Sequence, residues 1–473
     1  MKSWFSKTFF LPFLLLPHLL WAQSTAPSLD QIQSQIDALL RPIVQDGWCP
    51  GMAVGLIVQG QTRVWGYGVT SSKNPNPPGG DTEFEIGSIT KLFTKLLFLD
   101  MIRQNKMGMN DLAHAYLPEK VKLPVKEGRE ITLLMLSNHT SGLPRDPDDM
   151  DLSHLDPQGG YTVDQLYHYL SRCQLLFIPG RDVRYSNLGV ALLAHLISLK
   201  SGLTFEDYLH QRILNPLGMT GTGVAWTDAQ RANAAEGHTA DGETVPLWNW
   251  TNPALAGCGA LHSTINDLLK LGQAALDKDS SPLGDIAFGP TAEKMDWGTT
   301  VGHAGSTFGF TSLFYVDRAK KIIFVCWVNN ASDYLLQAIP ETLKIFNSQQ
   351  PTPLSFPKLV KFTPGQLEPY TGHYHITEAA PPLIDKVGDP IVIQAHGDHL
   401  IMLFKSDPRN FGLYPEASGD FYLKDDYCQM AFSRDPQGKV VGLSAKTQFD
   451  LKLLRNGYQP PLDKIGDAIP NPP

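Results

Sequence analysis

The stretch FEIGSITKLFT, residues Phe84–Thr94, places a serine and a lysine three positions apart where a β-like run gives way to a helical one. Residues with this spacing lie on one face of a helix, so the Ser88 hydroxyl is expected beside the Lys91 ammonium. A serine hydroxyl is a weak nucleophile until a base removes its proton, and a desolvated lysine at a helix start can be that base. The spacing alone also fits a capped helix that carries a chance lysine.

Two motifs further along the chain strengthen the catalytic interpretation of this pair. The stretch YSN, Tyr185–Asn187, precedes an apolar helix. A loop tyrosine there can relay protons, and an amide two residues later can hydrogen-bond a substrate. The stretch GHAGS, Gly302–Ser306, opens a predicted strand whose small residues let a substrate backbone approach and pair with a sheet edge. Taken singly, the motifs also fit a loop aromatic packed on the core and a surface histidine beside a hairpin.

The three motifs in this order resemble those of the serine β-lactamase and penicillin-binding protein superfamily, in particular its branch of class C β-lactamases, D-alanyl-D-alanine carboxypeptidases and esterases. The motif residues are Ser88-x-x-Lys91, Tyr185-x-Asn187 and His303-x-Gly305. Matching phrases are LSNHTSGLP (136–144), FIPGRDVRYSNLG (177–189), LNPLGMTGTG (214–223) and AGCGALHSTINDLLKL (256–271). The resemblance covers about residues 30–346, and three ordered motifs favour the catalytic interpretation.

This resemblance implies a role for each motif residue. Ser88 attacks a carbonyl and becomes acylated, Lys91 removes its proton, and Tyr185 passes the proton to the leaving group. The implied substrate-binding residues are Asn187, His303, Gly305 and Ser306. Among them, the Asn187 side chain holds the substrate's amide, and the backbone N–H groups of Ser88 and Ser306 form the oxyanion hole. The implied chemistry needs no metal and no organic cofactor.

One motif departs from the pattern that β-lactamases usually carry. Where they have Lys-Thr-Gly, this chain has His303-Ala304-Gly305. A histidine has an ordinary pKa of about 6.5 and is mostly neutral at pH 7, whereas the lysine is a permanent cation near the substrate carboxylate. Recognition of a carboxylate is therefore left open, with Arg145 or Arg184 as possible substitutes. The acidic loop 145–157 is either a solvated insertion or a rim over the cleft that disfavours anionic substrates.

Composition and the N-terminal segment indicate an exported protein. The chain has 473 residues, 42% of them hydrophobic, and a net charge of -8, which suits two or three cored domains and argues against nucleic acid as a partner. Residues 1–22 are predicted to be a signal peptide with cleavage after Ala22, since their apolar run is too short to span a bilayer. No later run predicts a membrane helix, so the mature protein is expected to be periplasmic or secreted.

The cysteines and histidines predict neither a disulfide framework nor a metal site. Five cysteines are scattered along the chain without a C-x-x-C pair. His373 and His375 lie on one face of a predicted strand, but no third ligand is evident, so they are interpreted as surface residues.

The pattern of elements predicts an α+β fold followed by an all-β domain. Residues 28–347 are expected to form an antiparallel sheet flanked by helices plus a mostly helical subdomain, as in β-lactamases, with the chain returning to complete the sheet. The Pro-rich stretch 348–365 is predicted to be a linker. Residues 366–456 alternate with a period of two and are predicted to be a small barrel or sandwich, similar to a lipocalin-like domain.

The leading functional hypothesis is an exported serine hydrolase that acts through an acyl-enzyme on amide or ester bonds. A D-alanyl peptidase or β-lactamase type is placed slightly ahead of a carboxylesterase of the same fold. A penicillin-binding sensor that deacylates slowly is the alternative from a different class. The expected partner is a small-molecule or peptidoglycan-derived substrate, and the oligomeric state stays open.

Overall fold

The computed structural model describes residues 28–151, 158–250, 252, 254–277, 300–332, 334–378, 390–404, 407–424, 428–445 and 452–455. The predicted signal peptide, residues 1–22, lies outside these ranges. Among the described helices, no single one is long and apolar enough to cross a membrane; one pair, bent by 79°, meets the length and composition criteria only when joined.

Twelve α-helices lie in the described part of the chain. They are α1 Leu29–Gln45, α2 Thr90–Arg103, α3 Leu133–Ser137, α4 Val163–Arg172, α5 Asn187–Ser201, α6 Phe205–Leu209, α7 Asn215–Leu217, α8 Asp228–Ala232, α9 Ala256–Gly259, α10 Ile265–Leu276, α11 Tyr334–Phe346 and α12 Pro364–Leu367. A 3-10 turn, Gly87–Ile89, leads directly into α2.

Nine strands of the described part precede residue 348. They are β1 Gly51–Val58, β2 Gln61–Gly68, β3 Phe84–Glu85, β4 Gly237–His238, β5 Thr244–Val245, β6 His262–Ser263, β7 Thr300–Ser306, β8 Thr311–Asp317 and β9 Ile322–Val328. Five of them form one antiparallel sheet in the order β2-β1-β9-β8-β7. The return of the chain therefore completes the sheet as expected, and β7 becomes an edge strand.

Local sequence explains how the sheet and its covering helix form. Helix α1 begins at a capping box, in which the Ser28 hydroxyl accepts from Gln31 N and the Gln31 side chain accepts from Ser28 N. Its apolar face, including Ile36 and Ile43, packs in the same core as β1 and β9. The hairpin β1–β2 turns at Gln59–Gly60, both with positive φ, as a tight two-residue turn requires.

The helical subdomain packs its helices around α2 and α5. Both helices are buried on nearly every side, which agrees with their apolar sequences. Helix α2 contacts α5 and α9, and its Phe93 and Phe98 are fully buried. Burying a side chain of this size contributes about 1.5–3 kcal/mol, so this packing fixes the start of α2 firmly.

Two local turns end elements whose sequence pattern continues beyond them. The helix that carries Lys91 spans Thr90–Arg103, because Asn105 has a positive φ that an α-helix does not allow. Strands β7 and β8 are joined by a turn in which Thr307 N donates to Phe310 O at 2.9 Å. The apolar and small residues continue through that turn, so the sequence pattern does not reveal it.

The C-terminal region is a closed eight-stranded antiparallel barrel, which confirms the prediction of a small all-β domain. Its strands are β10 Gly372–Glu378, β11 Pro390–His396, β12 His399–Phe404, β13 Asp407–Pro415, β14 Phe421–Leu423, β15 Cys428–Arg434, β16 Val440–Ala445 and β17 Lys452–Arg455. Large apolar side chains such as Tyr374, Ile391 and Phe421 pack together in its core. Pairing of β10 with β17 closes the barrel.

The barrel and the linker both pack against the first part of the chain. Trp48 stacks on Phe356 of the linker at 5.2 Å and contacts Tyr422 of the barrel at 5.8 Å, measured between ring centroids. It also meets Tyr334 of α11 edge-on at 4.9 Å. One aromatic cluster thus joins three parts of the chain.

Candidate active site

Ser88 and Lys91 meet at the start of α2. Ser88 lies in the 3-10 turn before the helix rather than in its first turn, yet Lys91 Nζ lies 2.9 Å from Ser88 Oγ. The Lys91 side chain is fully buried, and its Nζ donates a second hydrogen bond of 2.6 Å to the carbonyl oxygen of Cys258. The predicted proximity of this pair is therefore observed, and the Cys258 carbonyl holds the lysine in place.

Two glycines bring the end of β7 against the turn that carries Ser88. Gly87 has a φ of +48°, and a Cβ there would lie 2.6 Å from Ser306 O. A Cβ at Gly305 would lie 1.9 Å from the carbonyl oxygen of Ile86. Any side chain at either position would push the edge strand away, which explains why glycine occupies both. Gly305 and Ser306 consequently lie beside Ser88, where the sequence predicts the oxyanion hole.

Tyr185 completes the group around the serine hydroxyl. Its OH donates to Ser88 Oγ at 2.8 Å, and Lys91 Nζ lies 4.9 Å from the centre of its ring. The ring stacks on His139 at 4.6 Å between centroids. Since Ser186 N donates to His139 Nδ1 at 3.1 Å, His139 is a backbone-bonded imidazole that orients the tyrosine.

Burial and neighbouring cations keep both imidazoles of the site neutral. Burial, followed by repulsion from Lys91, lowers the pKa of His303 to about 4. Burial, followed by repulsion from Lys95 and Lys91, lowers the pKa of His139 to about 3. Lys95 lies one helical turn beyond Lys91, and burial together with the Lys91 charge lowers its pKa to about 8. The histidine in the place of the family's lysine is therefore uncharged at pH 7.

Asn187 has a partner that its predicted role did not include. Its side-chain nitrogen donates to Asp146 Oδ1 at 2.9 Å, while Arg145 Nε lies 3.5 Å from the other carboxylate oxygen. The Arg145 side chain is 66% exposed, and its guanidinium lies 5.2 Å from the Tyr185 ring centre. Arg145 is thus a cation at the site, and Asp146 supplies a carboxylate beside the Asn187 amide.

Two functional groups at the site were not predicted from the sequence. Asp146 lies at the start of the acidic loop, and its bond to Asn187 favours a rim over a solvated insertion. Residues 152–157 of this loop lie outside the described part. The Cys258 carbonyl carries no sequence signal, because any residue presents a backbone oxygen. The five cysteines, all within the described residues, form no disulfide.

Comparison with known proteins assigns the chain to a family. The family model described as Beta-lactamase matches residues 36–339, and one described as a domain of unknown function, DUF3471, matches residues 357–457. The chain belongs to the Beta-lactamase family. This assignment agrees with the resemblance drawn from the three sequence motifs.

This member of the Beta-lactamase family aligns with only part of the length of its curated relatives. A Beta-lactamase from Yersinia enterocolitica is 28% identical over 260 residues, which are 54% of this chain and 62% of that protein. The D-alanyl-D-alanine-carboxypeptidase/endopeptidase AmpH from Escherichia coli K12 is 32% identical over 230 residues, which are 48% of this chain and 58% of that protein. The chain therefore spans less than two thirds of these relatives.

Solved structures show the same fold. A β-lactamase/D-alanine carboxypeptidase from Yersinia pestis, complexed with citrate, superimposes with a TM-score of 0.57 at 22% identity, covering 66% of this chain and 99% of that one. A D-alanine carboxypeptidase AmpC from Burkholderia cenocepacia gives 0.55 at 24% identity, covering 68% and 100%. This confirms the expected β-lactamase-like architecture.

Proposed function

We propose that the protein is an exported serine hydrolase that forms an acyl-enzyme on Ser88 while cleaving amide or ester bonds. One observation carries this proposal: the Ser88 hydroxyl has a lysine amine at 2.9 Å and a tyrosine hydroxyl at 2.8 Å. This is a nucleophile with a base and a proton relay within hydrogen-bond reach. The family assignment supports it, because the matched relatives carry the names of β-lactamases and a carboxypeptidase.

In the proposed acylation, each group around the nucleophile has one task. The Lys91 amine keeps its donor bond to the Cys258 carbonyl and offers its lone pair to the Ser88 proton. As that proton moves to Lys91, Ser88 Oγ bonds to the substrate carbonyl carbon. Tyr185 then gives a proton to the leaving amine or alcohol and regains one from Lys91, so that the charge is not left on the leaving group.

Oxyanion stabilisation is assigned to the backbone. The N–H groups of Ser88 and Ser306 are proposed to donate to the carbonyl oxygen as it becomes negative, since β7 and the Ser88 turn are in contact. Water then attacks the acyl carbon, one of its protons passes through Tyr185 and Lys91 to Ser88 Oγ, and the bond between Ser88 Oγ and the acyl carbon breaks. The products are a free acid and the regenerated serine.

A D-alanyl peptidase or β-lactamase activity is the first candidate, and a carboxylesterase is the second. The names of the relatives support the first. The neutral His303 favours the second, because no permanent cation stands at that position to bind a substrate carboxylate. A penicillin-binding sensor that deacylates slowly would use the same acylation step. Export, by the predicted signal peptide, would place any of these in the periplasm or outside the cell.

Time-resolved labelling with a fluorescent penicillin tests the proposal. Label that persists would indicate a peptidase or sensor, label that is rapidly lost would indicate a lactamase, and p-nitrophenyl ester turnover without label would indicate an esterase. The variant Ser88→Ala should lose both labelling and turnover. Ser355→Ala is a matched control, because Ser355 belongs to a second S-x-x-K sequence that contains a proline and lies in the linker. Unchanged turnover in Ser88→Ala would overturn the assignment.

A further inference from the structure

The hairpin of β4 and β5, residues 237–245, packs on the loop that follows Ser306. His238 N donates to Gly309 O at 3.2 Å, and a Cβ at Gly309 would lie 2.9 Å from Gly237 Cα and 2.8 Å from the Val245 side chain. The backbones of hairpin and loop are therefore in direct contact. Since the loop begins immediately after Ser306, a displacement of the hairpin would be transmitted to that residue.

The tip of the same hairpin is inserted against the barrel. A Cβ at Gly412 of β13 would lie 1.8 Å from Asp241 Oδ1, so the carboxylate occupies the space that a side chain would fill. Tyr414 OH, two residues along the strand, donates to Asp241 Oδ1 at 3.1 Å. Lys424 Nζ lies 3.7 Å from the Tyr414 ring centre, and burial raises the pKa of Asp241. A half-buried carboxylate that fills the space beside Gly412 and accepts a hydrogen bond from Tyr414 is a specific fit and not a chance surface contact.

The base of the hairpin is held by the main sheet. Ala331 N donates to His238 O at 2.9 Å, and the Asn330 side chain donates to Thr239 O at 2.6 Å. Both residues directly follow β9. The hairpin thus connects two parts of the molecule. Its base contacts the main sheet and the loop after Ser306, and its tip contacts the barrel.

We propose that the barrel positions the oxyanion-binding end of β7, and that Asp241 is the positioning residue through which it does so. The inference rests on the proposed function, because it assigns a role to Ser306 N–H in acylation. It gives the C-terminal domain a part in catalysis without contact with substrate. Loss of the Asp241 contact would let the loop after Ser306 move, which would weaken stabilisation of the transition state more than binding of the substrate.

The variant Gly412→Ala tests this coupling, since its methyl group would displace the Asp241 carboxylate. Gly365→Ala is the matched control: it adds the same methyl group in α12, where nothing lies within 4 Å. In Gly412→Ala we expect faster hydrogen–deuterium exchange at the amides of residues 307–310. We also expect the rate constant of acylation to fall about 10-fold with KM within about twofold of the wild type. The Gly365→Ala protein should match the wild type in both measurements.

A milder pair of variants guards against misfolding of the barrel. Tyr414→Phe removes only the hydroxyl that donates to Asp241, and Asp241→Asn retains an acceptor for it. We expect Tyr414→Phe to show a smaller change of the same kind and Asp241→Asn to stay close to the wild type. Unchanged exchange at 307–310 in both Gly412→Ala and Tyr414→Phe would overturn the inference, even if the melting temperature falls.

The two readouts separate this inference from the proposed function. The exchange measurement does not depend on catalysis, so it can be repeated in the Ser88→Ala background. Faster exchange there, combined with turnover that survives Ser88→Ala, would contradict the proposed function while supporting the coupling. Slower acylation without any change in exchange would contradict the coupling instead.

Discussion

At the scale of single residues, Ser88 shares its hydroxyl oxygen between two neighbours that differ in kind. Lys91 is fully buried and fixed by the Cys258 carbonyl, whereas Tyr185 is partly exposed and oriented by His139. Only the tyrosine is placed to reach both the serine and solvent. This division suits a base that stays dry and a relay that meets the leaving group.

Replacing Tyr185 with phenylalanine separates the contribution of its hydroxyl from that of its ring. Tyr185→Phe keeps the stack on His139 but removes the 2.8 Å bond to Ser88. We expect kcat for a chromogenic ester to fall about 10²- to 10⁴-fold, the usual contribution of proton transfer, with an unchanged melting temperature. Tyr167→Phe removes a hydroxyl bonded to His195, away from Ser88, and serves as the control. Activity within a factor of two of the wild type would argue against the relay.

A positive charge at the histidine of the third motif tests whether this position binds a substrate carboxylate. His303→Lys introduces a permanent cation where the pKa of the native imidazole is about 4. For an ester that carries a free carboxylate we expect KM to fall by about 10-fold at pH 7, while KM for its methyl-esterified analogue stays constant. Equal changes for the two substrates would show that this position does not contact the substrate carboxylate.

The sequence revealed the residues of the site better than their partners. The three-residue spacing predicted that Ser88 and Lys91 meet, because helical geometry alone determines it. The bond between Asn187 and Asp146 joins residues 41 positions apart, and no local rule specifies such a pair. The close approach at Gly305 is likewise visible only when β7 lies against Ile86.

At the scale of secondary structure, elements with a strong period were predicted well. The barrel's alternating strands follow from a local rule, the period of two in residues 366–456. The turn between β7 and β8 has no such signal, because Thr307 to Phe310 continues the apolar and small residues of the strands beside it. Tertiary contact with the β4–β5 hairpin, not composition, shapes that turn.

A buried histidine between helices α4 and α5 makes the free energy of unfolding depend on pH. Burial lowers the pKa of His195 to about 4, and its Nε2 lies 2.7 Å from Tyr167 OH. Between pH 6.5 and 4 the unfolded chain binds a proton at this histidine that the folded chain does not, so the free energy of unfolding decreases as the pH falls. His139 and His303 act in the same direction.

Urea unfolding at pH 7 and pH 5 measures this dependence. We expect a lower free energy of unfolding at pH 5 for the wild type and a smaller difference in His195→Gln. His373→Gln changes an exposed histidine of the barrel and should leave the difference as it is. An equal pH effect in His195→Gln and the wild type would contradict the assignment to α4 and α5.

At the scale of the whole molecule, Trp48 joins the sheet region, the linker and the barrel. Trp48→Ala removes the stack on Phe356 and the contact with Tyr422. We expect a loss of about 3–5 kcal/mol in stability, as for other buried tryptophans, and earlier cleavage of the linker by a protease. Trp48→Phe keeps an aromatic ring and should lose less. Linker cleavage at the wild-type rate in Trp48→Ala would show that the barrel is held by other contacts.

The pairing of β1 with β9 determines when the main sheet can form during synthesis of the chain. Met52 lies opposite Val328, and Val58 opposite Ile322, so the first long strand of the sheet finds this partner only after some 270 further residues have left the ribosome. Until then β1 lacks its partner on the edge opposite β2, and the five-stranded sheet cannot form. The sheet therefore stays incomplete until late in synthesis, which would suit the proposed export, because a translocase threads an unfolded chain across a membrane.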